Sequence, residues 1–183
     1  MLVTSGGLRY NAPLEGGLPM ALKEKAIRHL ASKCRSGSVP MALGGEYALV
    51  RHGLTDTWHA FDICCPRSSY EAMDRVLTRL GMKSREEVHE DWCEAEYHFD
   101  GADLTVHAGV PRIPFTLPET LPAADVFGEP VTLLPPADAL ALCLLKTGSL
   151  PGKLEAPDPS SKLACFPGVQ TWQDLEACLK NPE

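Results

Sequence analysis

The stretch from Val39 to Pro66 constrains the fold more than any other part of the chain. A short apolar run, Val39 to Leu43, ends in Gly44-Gly45. A strand that runs into two glycines can turn sharply, because glycine reaches left-handed backbone at no steric cost. Glu46 to Arg51 has the make-up of a short helix closed by His52-Gly53, and Thr57 to Cys65 is an aromatic and branched run stopped by Pro66. Strand, tight turn, helix and second strand in so few residues predict helices packed on a mixed sheet.

The flanking segments agree. Pro19 to Lys33 predicts an amphipathic helix, with Leu22, Ala26, Ile27 and Leu30 at helical spacing. Ser68 to Glu71 has the form of a capping box, with Ser68 as N-cap, and the helix it opens runs to about Leu80 with Gly81 as its stop. His89 to Phe99 and Ala102 to Ala108 read as two strands joined by Asp100-Gly101, a hairpin turn. Residues 110–135 are proline-rich and read as irregular. Pro135-Pro136 opens a helix through Leu145, residues 149–169 read as a loop, and Thr171 to Leu179 is a last short helix. Residues 1–18 read as an irregular lead-in, and 19–183 as one domain with a helical C-terminal part over about 136–181.

Composition narrows the function classes. Hydrophobic residues at 44% and charged residues at 22% suit a globular core rather than a disordered chain. The net charge of -7, with no basic stripe, argues against nonspecific binding to DNA, which needs many cation–phosphate contacts. No apolar run approaches the ~20 residues of a membrane span. The seven cysteines include no Cys-x-x-Cys pair, so they read as reduced, buried thiols in a cytoplasmic protein rather than as a zinc knuckle.

Gly44-Gly45, Ala48, His52-Gly53, Asp62 and Pro66, in that order and without a gap, resemble the minimal nucleotidyltransferase family, including the toxin-type members of abortive-infection systems. The resemblance runs over residues 20 to 180, with its dense motif between 43 and 66. It implies an α/β (α+β) fold, a mixed sheet with flanking helices. It also implies a nucleoside triphosphate substrate, a divalent Mg²⁺ or Mn²⁺ ion, and transfer of a nucleoside monophosphate to a hydroxyl on a protein or RNA acceptor. Gly44 and Gly45 would approach the phosphates, joined by Lys146 at the end of a later helix. Asp62 and Asp103 would be the catalytic, metal-holding carboxylates. Alternate residues of a strand share a face, so an Asp-x-Asp pair presents two carboxylates to hard cations.

The chain departs from that pattern at its chemical centre. The first Asp of the pair falls on Ala60, and the positions where the family often has Arg and Thr read Asp56 and Trp58. Losing a carboxylate that bridges two metals removes several kcal/mol of transition-state stabilisation, on the order of 3. The expectation is therefore a nucleotide-binding protein with impaired or absent transfer. A competing expectation is a pseudoenzyme, a protein-binding or regulatory module whose cleft is filled by Trp58 or Phe61. A third is a metal-dependent hydrolase, since alternation puts Asp62 and Cys64 on one strand face and Asp103 and His107 on another.

Overall fold

Helix α1 (Met20–Ser36) forms where Ala26, Ile27, Leu30, Ala31 and Cys34 recur at three- and four-residue spacing, and all five are buried. The computed structural model describes residues 20–109, 123–126, 128–151, 154 and 168–180. The lead-in expected over 1–18 and most of the loop expected over 149–169 lie outside them. After α1 come β1 (Ala42–Gly44), α2 (Gly45–Arg51), β2 (Phe61–Cys65), α3 (Tyr70–Leu80), β3 (Met82–Val88), β4 (Cys93–Phe99) and β5 (Ala102–Ala108). Then follow β6 (Ala123–Val126), β7 (Glu129–Thr132), α4 (Pro136–Thr147) and α5 (Trp172–Lys180).

Five strands form one mixed sheet in the order β1-β2-β5-β4-β3. Strands β2 and β5 are parallel, and the other pairings are antiparallel. A parallel pair cannot be joined by a hairpin, so α3, β3 and β4 together make the crossover from β2 to β5. Asp100 and Gly101 turn the β4–β5 hairpin with φ of 48° and 74°. That left-handed pair is what a two-residue turn needs if it is to match the strand twist, and Asp-Gly supplies it cheaply.

Alternation divides the sheet into two unlike faces. Phe61, Ile63 and Cys65 of β2, Leu104 and Val106 of β5, and Ala95, Tyr97 and Phe99 of β4 point to one face, and all are buried. Helices α1 and α3 cover it with Ile27, Leu30, Met73 and Leu77. Burying each of the larger side chains contributes about 1.5–3 kcal/mol. The opposite face carries Asp62, Thr105, His107, Glu94 and Glu96. At its β1–β2 end it is covered by a second apolar cluster. There Ala48 and Leu49 of α2, Ala139 to Leu144 of α4 and Trp172 and Leu175 of α5 pack with Ala42 and Cys64.

Several expected boundaries shift, each for a local reason. β1 and β2 are shorter than the runs from Val39 and Thr57, because residues 57–60 leave the ladder before it begins at Phe61. The capping box at Ser68 does not form. Arg67–Ser69 is a 3-10 turn, and Glu71 bonds the Arg67 guanidinium at 3.1 Å instead. Strand β4 starts at Cys93 rather than His89, because His89 closes a turn onto the Trp92 carbonyl. Strand β3 was not visible as a strand, and the proline-rich stretch contains the β6–β7 hairpin. The last helix is capped as a reciprocal box: the Thr171 hydroxyl accepts from the Asp174 amide at 3.1 Å, and the Asp174 carboxylate accepts from the Thr171 amide at 2.8 Å. No helix among the described residues is long and apolar enough to cross a membrane.

Candidate functional site

Asp62 lies mid-strand on the polar face, where a carboxylate with a side chain only 4% exposed needs partners. It has two. His107 Nε2 donates to its Oδ1 at 2.8 Å, and Lys146 Nζ donates to the same oxygen at 2.9 Å. Lys146 also reaches the Thr105 hydroxyl at 3.5 Å. The sheet and α4 bring these residues together from far apart in the chain. Parallel pairing sets Asp62 beside Thr105 and Cys64 beside His107. Helix α4 packs on the β1–β2 end and projects Lys146 from its last turn.

The chain of charges continues across the sheet. His107 Nδ1 lies 3.4 Å from Glu94 Oε2, and Glu94 pairs with Arg85 on β3. Lys146, Asp62, His107, Glu94 and Arg85 thus alternate in sign along one row. Burial pushes the Asp62 carboxyl up, but the hydrogen bonds and charges of His107 and Lys146 outweigh it, and the group is held below the usual carboxylate range. Burial likewise opposes charge on His107, yet Asp62 and Glu94 on its two sides raise its pKa above the ordinary value. The imidazole bridges two carboxylates, Nε2 on Asp62 and Nδ1 on Glu94.

The glycine pair acquires specific reasons. Gly45 has φ of +55°, and a Cβ there would fall 2.1 Å from Asp62 Oδ2. The turn therefore lies directly against the carboxylate. Gly44 is equally confined: a Cβ would meet Leu142 Cδ2 at 2.8 Å and Cys64 Sγ at 2.9 Å. Beside the turn, Glu46 accepts from the His59 backbone amide at 3.0 Å and lies 3.0 Å from its ring Nδ1. His52 ties the end of α2 to the strand-to-helix connection before α4 by donating from Nε2 to the Leu134 carbonyl at 2.7 Å.

Other expected site residues lie elsewhere. Asp103 shares the face of Asp62 but stands two residues along β5 from Thr105. Its side chain is 83% exposed and pairs with His98 at 2.9 Å. Cys64 is buried against Gly44 and Leu134 with a thiol pKa well raised by burial, so it faces packing rather than a ligand. The four residues proposed for a hydrolase centre are thus not gathered, although Asp62 and His107 do meet. Trp58 and Phe61 pack on Tyr47 in the apolar cluster on the α1 side, with ring centroids 5.0 Å and 4.9 Å from it. Glu94 was missed by sequence reasoning. The Asp100-Gly101 turn contained the signal, since a two-residue hairpin centred there sets Glu94 opposite His107.

A pair of divalent ions does not fit this donor set. Asp62 Oδ1 already accepts from both His107 and Lys146, Oδ2 lies close against the Gly45 turn, and Ala60 has no side-chain ligand atom. Among the described residues no group of three or more His, Cys, Asp or Glu side chains is arranged to hold a metal.

Comparison of the fold with solved structures gives its class. The antibiotic-resistance factor ANT(2'')-Ia, in its complex with adenylyl-2''-tobramycin, superposes with a TM-score of 0.56 at 14% identity, covering 86% of this chain and 96% of that one. Its solution structure gives 0.50 at 16% identity, covering 86% and 88%. This is the nucleotidyltransferase fold. A Thermotoga maritima protein described as a nucleotidyltransferase aligns at 0.49 and 15% identity, over 65% of this chain and 82% of that one. No protein-family model matches the sequence, and no curated protein sequence does.

Proposed function

We propose that this chain is a nucleotide-binding protein of nucleotidyltransferase fold in which transfer to a hydroxyl acceptor is impaired or absent. One observation carries the reading: the single buried carboxylate of the corner, Asp62, is neutralised from within by Lys146 and His107. A metal-assisted displacement needs carboxylates free to hold cations against the attacking and leaving oxygens. Here the neighbouring position is Ala60, and the Asp62 charge is already spent on internal partners. The binding side rests on Lys146, whose side chain is 35% exposed and can meet solvent.

The relatives' chemistry is the guide to the ligand. The ANT(2'')-Ia structure is of a complex with adenylyl-2''-tobramycin, so an adenine triphosphate is the first ligand to try. Thermal unfolding with each nucleoside triphosphate tests binding. A ligand at about 100 times its dissociation constant adds about 2.7 kcal/mol, a shift of roughly 5–10 °C for a chain of this size. A labelled nucleotide with Mg²⁺ or Mn²⁺ tests transfer, and no label above background is expected on protein or RNA. Metal-dependent labelling would overturn the inactive reading. No thermal shift with any nucleotide would overturn the nucleotide-binding reading and turn the search to protein partners.

A further inference from the structure

The row of alternating charges has a property that a simple ion pair lacks. Asp62 holds two cations on one oxygen, so it can release one and still be paired. Lys146 is the one that can leave. Its side chain is 35% exposed, whereas that of His107 is 7% exposed and fixed on its far side by Glu94. Glu94 is in turn held by Arg85. If the Lys146 ammonium swings to an incoming phosphate, Asp62 keeps His107, and no buried charge is left bare.

A divalent ion has the opposite relation to this corner. It would have to displace the Lys146 ammonium from Oδ1 and lie beside the Asp62–His107 hydrogen bond, with Oδ2 close against the Gly45 turn. A triphosphate already complexed with Mg²⁺ carries less net negative charge toward Lys146 than the free triphosphate, so its attraction to the ammonium is weaker. Resting on the proposed nucleotide-binding reading, we infer that this corner takes the metal-free nucleoside triphosphate. In this assignment Lys146 is the phosphate-binding cation, His107 and Glu94 are positioning residues that keep Asp62 paired when Lys146 leaves, and divalent cations compete with binding rather than assist it.

Isothermal titration of ATP and GTP into the full chain, once in EDTA and once in excess Mg²⁺, tests this. The expected result is binding that is at least about tenfold tighter in EDTA. Lys146→Gln should abolish that binding while leaving a cooperative melt, because Asp62 retains His107. The surface variant Lys180→Gln should bind as the parent does. Inorganic tripolyphosphate in EDTA should compete, since the phosphates supply the contact. Binding that requires Mg²⁺ would overturn the metal-free assignment and leave the nucleotide reading standing. Binding in neither buffer would overturn the nucleotide reading, and this inference with it. Unchanged binding by Lys146→Gln would remove Lys146 from the site.

Discussion

Replacing His107 with Asn gives the sharpest test of the buried row. The imidazole sits 2.8 Å from Asp62 and 3.4 Å from Glu94, with a side chain 7% exposed. Asn cannot carry a charge and is shorter than the imidazole. Removing one member of a buried ion pair typically costs about 3–5 kcal/mol, since the remaining charge keeps its desolvation penalty without its partner. Asp62 retains Lys146 and Glu94 retains Arg85, so the lower end applies, about 3 kcal/mol. At roughly 2–4 °C per kcal/mol for a domain of this size, the melting temperature should fall by roughly 6–12 °C. Scanning calorimetry or circular dichroism at pH 6 measures it. Asp103→Asn is the comparison: its carboxylate is 83% exposed and its pair with His98 lies in solvent, so a change within about 0.5 kcal/mol is expected. If His107→Asn melts within a degree or so of the parent, the imidazole is not a charged bridge and the reasoning fails.

The same group sets a pH dependence. His107 is raised above its ordinary 6.5 when folded, so its stabilisation is complete below pH 6.5 and is lost as pH rises through the folded value. Asp62 is lowered from 3.8, so its contribution is present above that pH and is lost as pH falls through its folded value. Denaturant midpoints from pH 4 to 9 should therefore decline on the alkaline side, and that decline should vanish in His107→Asn. Gly45→Ala should destabilise by about 2–4 kcal/mol in urea unfolding, because φ of +55° disfavours a side chain and the new Cβ would drive into Asp62 Oδ2. Lys83→Met should raise hydrogen exchange of the β3 amides more than elsewhere, since Lys83 bonds Asp74 of α3 at 2.9 Å and Glu86 at 2.8 Å. Equal exchange rates in parent and variant would show that the ladder alone holds the strand.

The legible parts of the fold were those where side-chain pattern and backbone need coincide. Alternation in Ala102 to Ala108, the Asp100-Gly101 turn, and the α4 start at Pro136 with Gly148 at its end all carry local chemistry that only one backbone satisfies. Strand β3 was illegible because Met82 to Val88 has no buried face. It is held by the backbone ladder, by Lys83 and by the Tyr70 hydroxyl on Glu86, none of which leaves a periodic trace. Asp62 was legible as a polar intruder in an apolar strand. Its partners were not, because Lys146 reaches it only through the docking of α4, and no spacing in the sequence reports that. The glycine pair was read as room for a ligand. The structure gives it a further reason, the close approach of Asp62 and of Leu142 to the backbone.

Distance along the chain gives the buried row a meaning in time as well as in space. Asp62 meets His107 across 45 residues and Lys146 across 84. Closing such loops is entropically slow compared with forming α1 or the β4–β5 hairpin. Until the β2–β5 crossover closes, the Asp62 carboxylate has no reason to leave water, and until α4 docks it has only one of its two cations. The apolar face can collapse early, but the polar face cannot be completed by any partly folded chain. The ion row is therefore expected to form late, and unfolding should begin where α4 lifts Lys146 away.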